Sequence, residues 1–221
     1  MASDILEPGE ERIQLSLSEE NILESLRNAS VRSAELVNEL LDVATDLFAS
    51  RFENARVRIQ KAFALYDMCR DDVEKAFTYL AKVSLSLTYA THYMQVLNTF
   101  RSLLHQIQRL LLHLLAIDQS VVSTNPGAIV VTEKFAKLLS TYFNSLTALL
   151  NSYLEHSPKA DTALEELAKA SRDIETYIRE LAFEKQGIEL PTLIALNMEE
   201  VVFNAIDLYE ALLCLHLARK S

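Results

Sequence analysis

Three glycines and four prolines in 221 residues leave little with which to build tight turns. Two-residue hairpins need glycine or asparagine at positive φ, and other turns draw on proline. A sheet-rich fold is therefore disfavoured. No proline or glycine falls between Glu10 and Asn125, so that stretch must turn by other means. Two cysteines, Cys69 and Cys214, make no disulfide framework, and free thiols in a reducing compartment fit them better. The opening MASDILEPGEERIQ is acidic, not basic and then apolar, so it does not have the pattern of a signal peptide. No unbroken apolar run approaches the roughly 18 residues of a membrane span. The longest, 110–117, is interrupted by His113. These absences predict a cytoplasmic protein that would meet a membrane only through a protein partner.

Positive charge is also short. Lys and Arg number 21 against 31 Asp and Glu, a net charge of −10. Nucleic-acid binding relies on cations placed against phosphates, so no nucleic-acid partner is expected. The densest basic group, Arg51, Arg56, Arg58 and Lys61, reads as a solvated helix face. Signatures of catalysis are missing too. There is no G-x-S-x-G elbow, no C-x-x-C and no Glu-x-x-His, and three scattered glycines cannot form a phosphate loop.

What is present is helix. Leu and Ala are abundant, and apolar residues recur at i, i+3, i+4 and i+7. The clearest stripe is Leu97, Phe100, Leu103, Leu104, Ile107, Leu110, Leu111 and Leu114. The pattern predicts helices over 19–49 and 52–83, a third that runs to about 117 after a weak point at Ser84, Ser86 and Thr88, and three more over 130–156, 158–186 and 191–221. Ser16 or Ser18 would cap the first. Ser157 would cap the fifth, with Pro158 at its first position, and Gly187 would end it. Pro191 would open the sixth. The organisation expected is an all-α chain of six long helices, arranged as two repeated antiparallel three-helix bundles. A tail covers 1–18, the first bundle 19–118, a linker 119–129 and the second bundle 130–221.

The repeat is also suggested by sequence. Aligning Leu97–Asn98 with Leu196–Asn197 sets Ile107 on Ile206 and Leu114 on Leu213. In that frame VLNTFRSLLHQIQ (96–108) and ALNMEEVVFNAID (195–207) correspond, and helix two contributes YDMCRDDVEKAF (66–77). This layout resembles the PhoU-like family of phosphate-transport regulators, including its archaeal branch. The resemblance implies a regulator acting through contacts with a transporter or sensor component. It also implies iron or zinc held by helix-borne carboxylates. Here each half keeps part of that acidic set. Asp67 and Asp71 share a helix face, but in the helix-two frame of the resemblance their counterparts are Ala168 and Arg172. Glu200 and Asp207 line one face of the last helix, and His105 stands where the family carries an acid. Oxygen ligands with one imidazole suit a divalent cation, so Asp67, Asp71, His105, Glu200 and Asp207 are the candidate metal ligands. A solvated acidic face is the alternative for the same residues.

The function expected is therefore non-enzymatic regulation of inorganic-ion transport by protein–protein contact, with a homodimer as the default assembly. One alternative is a metal-free helical scaffold or oligomerisation module. A second is a helical metal-dependent hydrolase, which would need acids and histidines converging on a pocket.

Overall fold

The computed structural model describes residues 17–84, 87–117, 126–183 and 192–220. Among them there are six helices and no strand: α1 (Leu17–Phe48), α2 (Phe52–Val83), α3 (Ala90–Leu115), α4 (Pro126–Leu154), α5 (Ala160–Phe183) and α6 (Thr192–Lys220). The all-α, six-helix expectation matches this architecture. α4 begins at Pro126, inside the segment expected to be linker, because proline at a first helical position sacrifices an amide that has no intrahelical partner anyway. Ser16, Gly187 and Pro191 lie outside the described residues, as does the rest of the expected linker, 119–125.

α5 starts two residues later than Ser157 and Pro158 suggested. Ser157 Oγ does accept the Lys159 amide at 3.3 Å. The Ser157 amide itself closes α4, donating to the Ser152 carbonyl at 2.9 Å, so a turn intervenes before Ala160. The residue at the corner is His156, with φ of 50°. The α1–α2 corner has the same closure. Ser50 takes φ of 57°, and the Arg51 amide reaches back to Asp46 at 2.8 Å. This is the left-handed helix stop usually given to glycine, here built twice without one.

The helices alternate up and down. Ser30 meets Thr147 while Asn38 meets Ser140, so α1 and α4 run antiparallel. Arg32 meets Asp72 while Asp46 meets Arg58, so α1 and α2 do likewise. Tyr142 bonds Ala205 and Tyr153 bonds His216, so α4 and α6 are parallel. Within each half the first helix packs on the second and the second on the third. The first and third make little contact, so neither half closes on itself. The halves are joined by α1 against α4 and by α3 against α6. The result is two central layers, α1/α4 and α3/α6, bridged at one edge by α2 and at the other by α5. Phe100 and Phe143, with ring centres 6.3 Å apart, join the layers.

Burial repeats along the chain. In α1 and α4, Ala29, Ser33, Leu36, Val37, Leu40 and Leu47 match Phe135, Leu139, Tyr142, Phe143, Leu146 and Tyr153, a shift of 106 positions. The corner residues Ser50 and His156 differ by the same amount. In α2 and α5 the shift is 108: Ala55, Ile59, Ala62, Tyr66 and Cys69 match Ala163, Leu167, Ala170, Ile174 and Tyr177. In α3 and α6 it is 101: Tyr93, Leu97, Phe100, Leu104, Ile107 and Leu114 match Ile194, Met198, Val201, Ala205, Leu208 and Leu215. The Leu-Asn pairing is thereby corrected. Leu97 is fully buried and Leu196 is 52% exposed, while Asn197 is buried and Asn98 is exposed. A helix that is apolar on every side lets sequence alignment slide, whereas burial does not slide.

Candidate functional site

All five candidate metal ligands are exposed. Asp67 and Asp71 do share a face of α2, but Arg70 stands between them, 3.3 Å from Asp67 and 3.7 Å from Asp71. Their charge is thus already partly answered. His105 lies on the outer side of α3, and Glu200 and Asp207 on that of α6. In the burial register Asp67 corresponds to Glu175 and Asp71 to Arg179, not to Ala168 and Arg172; Glu175 and Arg179 form an ion pair. Among the described residues no group of three or more His, Cys, Asp and Glu is placed to hold a metal ion.

The most connected polar cluster lies elsewhere, at the end of the bundle where α1, α3 and α5 begin and α4 and α6 finish. Tyr93 on α3 donates to Glu19 on α1 at 2.7 Å. Arg219 on α6 approaches the same carboxylate at 3.8 Å and lies over the Tyr153 ring, 4.8 Å from its centre. Tyr153 meets His216 Nδ1 at 3.1 Å, and His216 Nε2 meets Asp161 at 2.7 Å. Lys220 also reaches Asp161. Asp161 is an acceptor when ionised, so Nε2 carries the proton and the phenol donates to Nδ1.

The electrostatics follow from burial and pairing. Hydrogen bonds from Lys220 and His216 hold the Asp161 carboxyl below its ordinary value. Burial pushes the Tyr93 and Tyr153 phenols up, with the Arg219 charge opposing. A phenol kept neutral is a hydrogen-bond donor, not a nucleophile or base. Among the described residues, Arg219 Nη1, like Arg27 Nε elsewhere in the bundle, is buried without a hydrogen-bond partner. The arrangement ties five helices together and orients buried charge.

A second cluster braces the α1–α2 corner at the opposite end of the bundle. Buried Asp46 accepts Arg51 at 2.7 Å and Arg58 at 2.9 Å. Arg58 also reaches Asp42 at 2.7 Å and Glu39 at 3.3 Å, and Lys61 pairs with Glu39. Arg51, Arg58 and Lys61, read from sequence as a solvated basic face, are thus answered by α1 carboxylates. Between α1 and α4 lies an open cleft of about 410 Å³, lined by Arg27, Asn28, Val31, Arg32, Glu35 and Asn151. Its cations could take a small anion, but Arg32 is committed to Asp72 and Glu35 opposes the charge.

Sequence reading missed Glu19, Tyr93, Tyr153 and Asp161 because they are far apart in the chain. The signal available was their common position at helix ends. Alternating rods bring those ends together, and the last-turn placement of Arg219 and Lys220 belongs to the same end. Of the two cysteines, Cys69 is buried, its thiol pushed up to about 12 by burial, and Cys214 is exposed. Among the described residues, one helical stretch, Ile194–Lys220, is apolar enough by length and composition to cross a membrane, with a mean hydropathy of 1.5 over its apolar window and 44% of that window buried in the bundle. Comparison with known proteins finds no matching family, no similar curated protein and no similar solved structure.

Proposed function

We propose that this chain is a PhoU-like regulator of phosphate or other inorganic-ion transport, working by presenting helix faces to a transporter or sensor component. The observation that carries the reading is the repeat of burial and of corner geometry between α1–α2–α3 and α4–α5–α6. A duplicated three-helix unit descended from a common ancestor is what the resemblance implies. Neutral buried phenols and charges engaged in ion pairs also favour a binding role over turnover. The reading does not need a bound ion. Iron, zinc or another divalent cation at Asp67 and Asp71 would have to displace Arg70.

The test is phosphate uptake in the native cell with and without this gene. Loss of the response of uptake to external phosphate is the expected result, and an unaltered response rejects the reading. Metal analysis of the purified chain addresses the cation separately. Stoichiometric iron or zinc that disappears in Asp67→Ala/Asp71→Ala would add a metal role. A metal-free scaffold is the second reading, favoured by the exposure and dispersal of the five candidate ligands. A hydrolase would need converging acids or histidines in a pocket, and the Arg27 cleft offers only Glu35.

A further inference from the structure

The outer face of the α3/α6 layer combines three features. First, it exposes large apolar side chains in a row. Leu196, Phe203 and Leu217 on α6 are 52%, 63% and 58% exposed, and they recur every seven or fourteen residues. Met94, Leu112 and Leu115 accompany them on α3. Isolated exposed leucines need no explanation, but aligned ones on two adjoining helices mark a contact surface.

Second, the two helices carry opposite charge. α3 has no acidic residue at all, in a chain of net charge −10. Its exposed cations are Arg101 and Arg109, whose guanidinium hydrogen bonds go to Asn98 and Gln106 on their own helix, Arg101 also lying over Phe77. α6 exposes Glu199, Glu200, Asp207 and Glu210. Among the described residues, none of these six makes an ion pair, although the two helices are neighbours.

Third, the charges fall at matching heights. Tyr93 and Arg219 meet at Glu19, which sets the level of the two antiparallel helices. At 1.5 Å per residue, Arg101 lies about 12 Å along α3 from that point, and Glu210 and Asp207 about 14–18 Å along α6. Arg109 and Glu200 lie about 24 and 28 Å along. Apolar residues occupy both ends of the layer and, through Phe203, its middle.

We infer that this face is where a second copy of the chain binds. A half-turn about a line parallel to the bundle lays α3 of each copy over α6 of the other at unchanged height. Arg101 then meets Asp207 and Glu210, Arg109 meets Glu200, and the apolar ends cover one another. This is the self-complementary arrangement a twofold dimer requires. Two helices roughly 40 Å long and spaced about 10 Å apart present on the order of 800 Å² per copy, the size of a standard specific interface. The inference does not depend on the phosphate-transport reading.

The test is a charge exchange. Sedimentation of the wild-type chain should give twice its 25.0 kDa mass at micromolar concentration. Arg101→Glu/Arg109→Glu and, separately, Glu200→Lys/Asp207→Lys/Glu210→Lys should each weaken self-association by about 100-fold. Mixing the two variants should restore a dimer, because each then meets the charge it needs; misfolded variants would not recombine. Thiol labelling gives a second readout. Cys214 should react more slowly as protein concentration rises, while buried Cys69 stays silent. A wild-type chain that sediments as a monomer overturns the inference. So does a dimer indifferent to both charge reversals, or a monomer whose α3/α6 face is covered instead by lipid vesicles or by a different protein.

Discussion

The α1–α2 and α4–α5 corners share a backbone and differ in everything attached to it. Each stops a helix with a non-glycine residue at positive φ, Ser50 in one and His156 in the other. Around the first, buried Asp46 is held by arginines that are themselves about half exposed. Near the second, a buried aromatic and imidazole chain runs from Tyr153 through His216 to Asp161, and buried Arg219 lies over it facing Glu19. Burial and chain direction repeat between the halves, whereas polar chemistry does not. Apolar spacing is constrained by packing on every turn, but an end cluster need only satisfy its own charges, so the two ends are free to differ.

The sharpest way to break this comparison is to remove one carboxylate from each end. Glu19→Ala strands Arg219, whose side chain is only 6% exposed, so a loss of about 3–5 kcal/mol is expected in urea unfolding. Asp46→Ala should cost less, about 1.5–3 kcal/mol, because Arg51 and Arg58 can return to water. Equal losses at the two ends would contradict the contrast drawn between them. The shared backbone makes a smaller prediction with the opposite sign. Ser50→Gly and His156→Gly should each stabilise by about 0.5–1 kcal/mol, since glycine reaches positive φ without a Cβ clash. A gain at one corner and a loss at the other would deny their equivalence.

The smallest effect concerns pH. Asp161 has its folded-state value depressed by Lys220 and His216. Its contribution is therefore complete above the ordinary carboxylate value of about 4 and is lost as pH falls through the lower folded value. The stability difference between wild type and Asp161→Asn should be present at pH 6 and shrink in acid below about pH 4. A difference that persists unchanged at low pH would show that Asp161 acts by something other than its charge.

Much of the architecture was legible because it is written in spacing. α2 matches its expected bounds, and the α3 stripe from Leu97 to Leu114 is buried as its period required. The register between α3 and α6 was not legible. α6 carries apolar residues on every side, its outer face included, so Leu196 reads like a core leucine although it faces outward. The candidate ligands were chosen by charge at helical spacing, a criterion an exposed helix face meets as readily as a metal site, and all five sit on such faces. The Glu19–Tyr93 contact joins residues 74 positions apart, and no local pattern announces a pair so distant.

That contact and its neighbour, Arg219 against Glu19, have a bearing on how the chain is made. Helical bundles ordinarily fold quickly because most of their contacts are local. Here the opening turn of α1 finds a charge partner in the closing turn of α6. Its apolar flank waits for α4. During synthesis on the ribosome, α1 and α2 can pair early, yet the apolar seam around Ser30 and Asn38, which meet Thr147 and Ser140 of α4, stays open until the second half emerges. A nascent chain arrested after α3 would carry that greasy strip uncovered, and would be a natural client for a chaperone.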